Sequence, residues 1–513
     1  MDIRNRKGRL LAAIALLFSI AFTSCGGGGD FAGGGTGGTG VGPVTGFGSV
    51  KVNGVRYTTT GANILIGGVE NRPESELKVG MRVRVDGDFS AVDNTGTAGR
   101  IEVIREVRGP LDDNGVDNVL NRLRVAGQTV LVDPATVFDN VAGLTALQSL
   151  QAGTLRHPEV EVHGAADDVG FIHATYVRKG ADDFPVASDD VEVRGKVSGL
   201  DPFAFRFLIG SLPVSYSGAG LVKVNWPLTG IANGAYVEAK GRITAAGGSG
   251  TLSASRIEVL DNAVGGNNDP VRVEGYVVSG ASKDSFVLLG PGGRVTVNGV
   301  GATLSGGTVA PGVKVQVEGA VSGAILRASV VRVRPAGKVR IEAGVSGAPN
   351  VAAGTFTVLG KQIRTDGYTR FKDTSGGLRT FGLADLPSGD NVMVVGSYDA
   401  SDDVVNAILV ERIPSLDNDR PLLQGPAAGE IPDVSFTIVG IRVDAGFTNT
   451  EYFAKDGTSL GSGPTAVAAF FTELVDGDVV MVKRGVFSPG TPSTIDEGVG
   501  TPRMEIGFEQ VND

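Results

Sequence analysis

Reactive and metal-binding side chains are scarce in this 513-residue chain, which contains one cysteine, three histidines and one tryptophan. A single cysteine cannot form an intramolecular disulfide, so the folded parts must be stable without one. Aromatic residues make up only 6% of the sequence, whereas glycine contributes 79 residues, roughly twice the usual ~7%. Much glycine and few aromatics are typical of short strands joined by tight turns. The composition therefore predicts an all-β protein.

Basic residues are too few to suggest a nucleic-acid partner. The chain has 46 Lys and Arg against 56 Asp and Glu, a formal net charge of −10, and no basic stripe. Because neutralisation of phosphates by Lys and Arg dominates affinity for nucleic acids, we expect no nucleic acid among the partners.

The sequence also lacks an apolar run long enough to span a membrane as a helix. Its longest apolar run lies near the N-terminus. Residues 1–9 are basic, and Leu10 to Ala21 form an apolar run of a dozen residues. At ~1.5 Å per residue, such a helix covers roughly 20 Å, less than the ~30 Å of a bilayer core. The pattern predicts a secretory signal peptide over residues 1–24 rather than a lasting transmembrane helix.

The sole cysteine follows this run in the sequence FTSC, Phe22 to Cys25. This stretch resembles the lipobox of bacterial lipoproteins, although Phe22 stands where leucine is commoner. The resemblance implies cleavage before Cys25, lipidation of its sulfur and acylation of its new amine. With Gly26 rather than aspartate next, it also implies a bacterial outer-membrane location, on either the periplasmic or the surface face. An ordinary signal peptide with an incidental cysteine is the alternative.

Residues 25–42 are predicted to be a tether between the lipidated cysteine and the folded body. Gly26 to Gly42 contain eleven glycines in seventeen residues and cannot form a core. As a flexible coil this stretch would span roughly 20–25 Å. Two or more acyl chains anchor a protein stably, whereas one does not, so we expect the membrane to be a partner through Cys25.

One pattern recurs along the rest of the chain. In Leu77–Gly87 a glycine is followed by alternating valines and a second glycine, and a later segment begins with a small residue and alternates, as from Ala98. Period-two alternation bounded by Gly, Asp and Asn indicates half-buried antiparallel strands. The repeats define six predicted modules, numbered 1 to 6: residues 43–106, 107–180, 190–261, 270–335, 337–413 and 420–510.

Each module is predicted to have three strands, a variable link and two more strands. In module 6 the link places Val467, Phe470 and Phe471 at helical spacing after Pro464, and module 2 shows the same spacing from Val141 to Leu150. This is the order of an OB-like five-stranded barrel. We therefore expect tandem small OB-like antiparallel β-barrels, with neighbours docked together.

The repeated pattern also resembles a tandem module of bacterial secreted lipoproteins that is catalogued as a domain of unknown function. The resemblance extends well over residues 43 to about 413 and loosely beyond. It implies a small OB-like barrel and no activity.

The sequence offers few candidates for chemistry. His157, His163 and His173 could form a metal site, but His163 occupies a strand slot that is polar in other modules, which favours solvated histidines. Ser459 lies in a G-x-S-x-G pattern, yet no histidine follows it to complete a hydrolase order. The aspartates around Asp112, Ser188, Ser401 and Leu416 are expected to be acidic loops. Trp226 could stack on a sugar or pack internally.

No catalytic, metal or cofactor residue is therefore assigned, and Cys25 is the only predicted site. The expected function is a lipid-anchored envelope protein with a non-catalytic binding or scaffolding role, with envelope proteins or glycans as candidate partners. The alternative is an envelope hydrolase acting on glycans or esters through an acidic site between modules.

Overall fold

A computed structural model describes residues 38–151, 156–186, 191–260, 264–445, 449–490, 493–496 and 503–507. The predicted signal peptide and Cys25 lie outside the described residues. Within these ranges, no helix has both the length and the apolar character needed to cross a membrane.

Module 1 contains the barrel on which the other five are variations. Its strands are β1 Gly38–Gly46, β2 Val50–Val52, β3 Val55–Thr58, β4 Asn63–Leu65, β5 Arg82–Ser90 and β6 Thr95–Val103, with a single 3-10 turn at Glu74–Glu76. β1 pairs antiparallel with both β2 and β5, β2 pairs antiparallel with β3, β3 pairs parallel with β6, and β5 pairs antiparallel with β6. These pairings close a five-stranded ring in the OB order. β4 is an additional short strand, parallel to β6.

The next three modules repeat this topology. Module 2 contains β7 Val107–Asp117, β8 Arg122–Val125, β9 Gln128–Leu131, β10 Val137–Asp139, α1 Leu144–Gln151, β11 Glu159–Ala166 and β12 Ile172–Lys179. Module 3 contains β13 Val191–Asp201, β14 Arg206–Ile209, β15 Leu212–Ser215, β16 Val222–Val224, β17 Tyr236–Ile243 and β18 Leu252–Val259. Module 4 contains β19 Pro270–Ser282, β20 Ser285–Gly290, β21 Gly293–Asn298, β22 Thr303–Ser305, β23 Lys314–Ser322 and β24 Ile325–Val333.

The last two modules differ in detail. Module 5 contains β25 Val339–Gly344, β26 Thr355–Val358, β27 Lys361–Arg364, β28 Arg370–Asp373, a 3-10 turn at Leu383–Asp385, β29 Asn391–Asp399 and β30 Val404–Arg412, and a bridge between Val345 and Val358 closes its ring. A further 3-10 turn, Asp417–Asp419, leads into module 6. Module 6 contains β31 Leu422–Ile431, β32 Ser435–Ile438, β33 Ile441–Asp444, β34 Glu451–Phe453, β35 Ser459–Gly461, α2 Pro464–Glu473, β36 Val479–Lys483, β37 Val486–Ser488, β38 Thr494–Asp496 and β39 Arg503–Gly507.

These elements confirm the predicted all-β, OB-like fold, and α1 and α2 lie in the links where helical spacing predicted them. In module 6 the fourth barrel strand is divided into β36 and β37, and the fifth into β38 and β39. The two halves of the fifth strand have different partners, because β38 pairs with β33 whereas β39 pairs with β36. This division accounts for the irregular sequence of the last module.

The two glycines of the repeated pattern have separate structural causes. The first lies in the turn before the fourth barrel strand with φ between 79° and 97°, a left-handed conformation that favours glycine; the members are Gly80, Gly234, Gly312, Gly389 and Gly477. The second marks a β-bulge, where a Cβ would come closer than 3.0 Å to a carbonyl oxygen of the fifth barrel strand; the members are Gly87, Gly164, Gly241, Gly319 and Gly396.

The barrels associate through their first strands. In a first strand only the C-terminal half pairs with the second strand, so the N-terminal half keeps one free edge. These free edges pair with each other: β7 with β13 and β25 with β31 antiparallel, and β1 with β19 parallel. Pairing them protects edges that barrel closure leaves exposed. Modules 2 and 3 and modules 5 and 6 are sequence neighbours, but module 1 pairs with module 4, which docking between neighbours did not predict.

The buried cores follow these pairs. One hydrophobic cluster runs through modules 2 and 3, another runs through modules 5 and 6, and Val41 of β1 lies in the core of module 4. Residues 38–42, which composition placed in the tether, are therefore buried β-strand. The tether prediction was too long at this end, because alternating glycines in β1 allow Tyr57 and Asn53 to pack against the strand.

Candidate binding cleft

His163 is fully buried, so the prediction of a solvated histidine is wrong for this residue. Its Nδ1 lies 2.8 Å from the carbonyl oxygen of Ile104 and its Nε2 lies 2.8 Å from Oε1 of Glu161. The outer face of its strand, β11, packs against the segment that joins modules 1 and 2. The His163 side chain thus faces outward from its own barrel but is buried, because the neighbouring segment covers it.

The other two histidines are half-buried and lie apart from a common ligand set. His173 stacks on Tyr276 of module 4 with ring centroids 4.1 Å apart, and its Nε2 lies 3.0 Å from Asp167 Oδ2. His157 Nδ1 lies 3.2 Å from the Leu111 carbonyl oxygen. Over the described ranges, no cluster of three or more His, Cys, Asp or Glu side chains could hold a metal ion.

The remaining sequence candidates have structural partners. Ser459 is exposed on β35 and its hydroxyl donates to Glu451 at 3.1 Å. Asp112 is buried in β7 rather than in a loop, and its carboxylate accepts the Gly127 N–H. Trp226 packs against the core of modules 2 and 3, and its ring centroid lies 6.0 Å from that of Tyr216. Lys223 Nζ lies 4.7 Å from the centroid of the Trp226 ring.

A cavity of about 250 Å³ lies where modules 1, 2 and 5 meet. Below it, side chains from all three modules form a small apolar cluster that includes Met81, Tyr176 and Leu409. Gly80 permits this approach, because a Cβ there would come within 3.0 Å of the Thr175 carbonyl oxygen. We call this cavity the junction cleft.

Equivalent strands of modules 2 and 5 form two walls of the junction cleft. β10 and β28 each run parallel to the fifth strand of their barrel, with Phe138 opposite Val177 and Phe371 opposite Val410. Each short strand is fixed by the threonine that immediately precedes it. Thr136 donates to the Ala174 carbonyl at 3.0 Å, and Thr369 donates to the Ala407 carbonyl at 2.9 Å.

Arg379 joins the wall of module 5 to that of module 1. Its guanidinium donates to the carbonyl oxygens of Glu74 at 2.6 Å and Leu77 at 2.8 Å, and it lies 3.5 Å from the ring centroid of Phe47. Hydrogen bonds to a charged donor are worth about 1.5–3 kcal/mol each. Arg379 therefore fixes the distance between these walls.

The two carboxylates of the cleft are in different electrostatic states. Asp373 is held by the Arg412 guanidinium and by the N–H groups of Ser375, Gly376 and Leu378. The hydrogen bond from Arg412 is the main reason why the pKa of Asp373 lies well below its usual range. Asp139 accepts one hydrogen bond, at 2.6 Å from the Tyr176 hydroxyl.

The two ammonium groups of the cleft are less occupied. Lys372 Nζ lies 3.0 Å from Glu411 Oε1. Lys78 is exposed, and within the described part of the chain its side chain has no ion pair or hydrogen bond. These groups can bind a further partner.

Sequence reasoning missed the junction cleft entirely. A signal for two equivalent cleft walls was present in the segments TVFDN and TRFKD, residues 136–140 and 369–373. Both segments contain a threonine and a phenylalanine at the same sequence spacing from the fifth strand of their module. No pattern in the sequence, however, shows that module 5 lies beside modules 1 and 2.

The fold and the cleft define a multi-barrel protein of OB type. More particularly, the family model of a domain of unknown function, DUF5666, matches residues 41–102, 108–178 and 343–411. These matches fall on modules 1, 2 and 5, which are the modules that line the junction cleft. The predicted resemblance to a domain of unknown function is confirmed over these three ranges.

Two further comparisons add little. No curated protein matches the chain. Among solved structures the chain is similar to one titled "drosophila Unr CSD456", at 14% identity over 44% of this chain and 99% of that chain, with a TM-score of 0.11. A likeness at that score carries no argument about this protein.

Proposed function

We propose that the protein is a lipid-anchored protein of the bacterial outer membrane whose barrels form a non-catalytic binding body. One observation carries the binding role: the three modules that the family model matches converge on a single cleft that none of them could form alone. Pockets between domains, apolar with a few polar groups, are the usual location of ligand sites. Envelope proteins and glycans are the candidate partners.

The electrostatics of Asp373 argue against it as the catalytic acid of the alternative, an envelope hydrolase. A hydrolase acting through paired carboxyl groups needs one of them to remain protonated near neutral pH as the general acid. Asp373 has the opposite property, because Arg412 and backbone N–H groups stabilise its ionised form. Its role is to shape the loop that contains Leu378 and Arg379.

Anchoring is proposed from the sequence of residues 1–25 alone. Replacing Cys25 by Ala removes the sulfur that would receive the lipid, so we expect loss of palmitate labelling in growing bacteria and accumulation of a signal-bearing precursor. Ser24→Ala retains the cysteine and serves as the matched control, with labelling unchanged. Normal labelling of Cys25→Ala would contradict lipidation at this residue.

Binding is tested by cross-linking in cells followed by purification of the full-length protein. Leu378→Glu places a charge at the cleft, whereas Leu228→Glu, at an exposed position in module 3, is the control. We expect Leu378→Glu to lose a cross-linked partner that the control retains. Hydrolysis of glycans or esters by the purified protein, abolished by Asp139→Asn, would instead establish the hydrolase alternative.

A further inference from the structure

We propose that the junction cleft binds a small organic anion, consisting of a carboxylate on an apolar body. The proposal rests on the binding role above and names its ligand class. It depends on two features of the cleft: apolar walls on three sides, and ammonium groups whose bonding capacity exceeds what the protein uses.

The apolar part of the ligand would contact side chains from all three modules. Val79 belongs to module 1, Val137 and Phe138 to module 2, and Phe371 and Leu378 to module 5. Leu378 is 41% exposed. Covering such surface gains about 25 cal/mol per Å², and phenyl rings favour a flat apolar body among them.

The charge of the ligand follows from which charged side chains of the cleft already have partners within the protein. Arg379 donates to module 1 carbonyls and also faces Glu74, while Asp373 is neutralised by Arg412. These contacts hold both groups in place within the protein. Among the residues that the structure describes, Lys78 has no ion pair or hydrogen bond, and Lys372 uses one of its three donors on Glu411. Two ammonium groups, from modules 1 and 5, are thus available to a carboxylate.

Asp139 is the one carboxylate that opposes an anion. Its Oδ2 is occupied by the Tyr176 hydroxyl, which stays protonated because burial raises the pKa of Tyr176. The side chains that line the cleft include three cations, Lys78, Lys372 and Arg379, and two carboxylates, Asp139 and Asp373, so the lining carries one excess positive charge. We therefore expect the apolar end of the ligand beside β10 and its carboxylate between Lys78 and Lys372.

The size of the cleft limits the ligand. At about 250 Å³ the cavity is slightly below the range of roughly 300–1,000 Å³ found for drug-sized ligands. A single ring or a short alkyl chain would fill it. Aromatic acids and fatty acids share the required chemistry, and the experiment must separate them.

Isothermal titration calorimetry on the full-length mature protein provides the test. The probes are 4-phenylbutyrate, 4-phenylbutanol and 4-phenylbutylamine, which share an apolar body and differ in charge, and decanoate as the fatty acid. We expect the butyrate to bind at least tenfold more tightly than the alcohol or the amine. Tighter binding of decanoate than of phenylbutyrate would assign the site to lipid-derived acids, and the reverse would assign it to aromatic acids.

Variants then locate the site. The pair Lys78→Gln and Lys372→Gln should weaken anion binding at least tenfold, and thermal melting reports whether the fold is kept. Lys283→Gln, at a half-buried lysine of module 4 that pairs with Asp284 and donates to the Gly299 carbonyl, should bind as the parent protein does.

Equal binding of the three charge types, or no loss in the double variant, would overturn the ligand class. If no probe binds but cross-linking still captures a partner at the cleft, the ligand class is wrong and the binding role stands. If both experiments fail, the binding role fails with it.

Discussion

At the scale of single residues, His163 shows how a polar strand position acquires a structural role. Both of its nitrogens face acceptors, the Ile104 carbonyl and the Glu161 carboxylate. A neutral imidazole carries only one N–H, so both contacts are hydrogen bonds only when His163 is protonated on both nitrogens. The Glu161 carboxylate also forms ion pairs with the guanidinium groups of Arg105, at 3.0 Å, and Arg178, at 2.7 Å. The result is a buried ionic cluster at the boundary of modules 1 and 2.

Glu161→Gln tests this cluster. Burial alone would raise the pKa of the Glu161 carboxyl, but the His163 hydrogen bond and the charges of His163, Arg105 and Arg178 hold it well below its usual range. A pKa lowered by folding contributes stability above the unfolded value of about 4.3, and that stability is lost as pH falls. We expect Gln to lower the free energy of unfolding by about 3–5 kcal/mol at pH 7.

The difference between parent and variant should shrink as the pH is lowered from about 4.3, as measured by urea unfolding. Glu76→Gln is the matched control, because Glu76 pairs with Arg72 at 2.6 Å on the surface, and we expect a change below about 1 kcal/mol. A pH-independent difference for Glu161→Gln would refute the ionic interpretation.

The residue scale also shows where sequence reasoning failed. The slot of His163 contains Asp86, Lys240 and Glu318 in other modules, which predicted an outward-facing polar position. It does face outward from its own barrel. Because alternation in a strand separates inside from outside and cannot distinguish solvent from a neighbouring barrel, burial of His163 was not predictable from the sequence.

At the scale of elements, the repeated glycines encode the barrel locally. At each bulge, the glycine lies opposite the small residue that begins the alternation of the fifth strand, as Gly241 pairs with Ala254. The bulge and the small residue together allow the two strands to approach closely and to bend. This coupling explains why the pattern predicted the strands and their order correctly.

Gly241→Ala tests the bulge. Its Cβ would overlap the Ser253 carbonyl oxygen, so we expect a loss of about 1–3 kcal/mol in the free energy of unfolding, as for other overpacked sites. Gly220→Ala, in the same module with open space around its Cβ, should be neutral or slightly stabilising. Urea midpoints that shift equally for both variants would contradict the bulge as the cause.

At the scale of the whole molecule, a few long side chains join modules that are distant in sequence. Arg82 of module 1 donates to the Gly164 carbonyl of module 2 at 2.7 Å and to the Glu274 carbonyl of module 4 at 3.0 Å. Arg370 of module 5 donates to the Thr175 carbonyl of module 2 at 3.1 Å. Both arginines are buried, and Arg82 also forms an ion pair with Glu106 at 3.3 Å.

Arg379→Gln tests the contact between modules 1 and 5. Losing the charged donor to Glu74 and Leu77 should speed amide hydrogen exchange over residues 74–79, while exchange within β29 and β30 stays unchanged. Arg364→Gln removes an exposed ion pair to Asp402 in the same module and should leave both regions as they are. Unchanged exchange in Arg379→Gln would show that other contacts suffice.

This arrangement is the part of the structure that the sequence could not predict. Short-range patterns predicted the barrels, because turns, bulges and alternation act within one module. The pairing of module 1 with module 4 depends instead on backbone edges of β1 and β19, which carry no distinctive side-chain pattern. The junction cleft lies where modules 1, 2 and 5 meet, and it was missed because contacts between modules leave no pattern within one module.

Pairing β1 with β19 also imposes an order in time. Chains are synthesised from the N-terminus, and Thr39 of β1 meets Val271 of β19, while Arg379 meets Leu77 across 302 positions. The first barrel to emerge therefore waits for its partner until modules 2 and 3 have been made. Contacts of such long range slow folding and leave strand edges open to wrong partners. The chain looks modular, yet its assembly cannot proceed one barrel at a time.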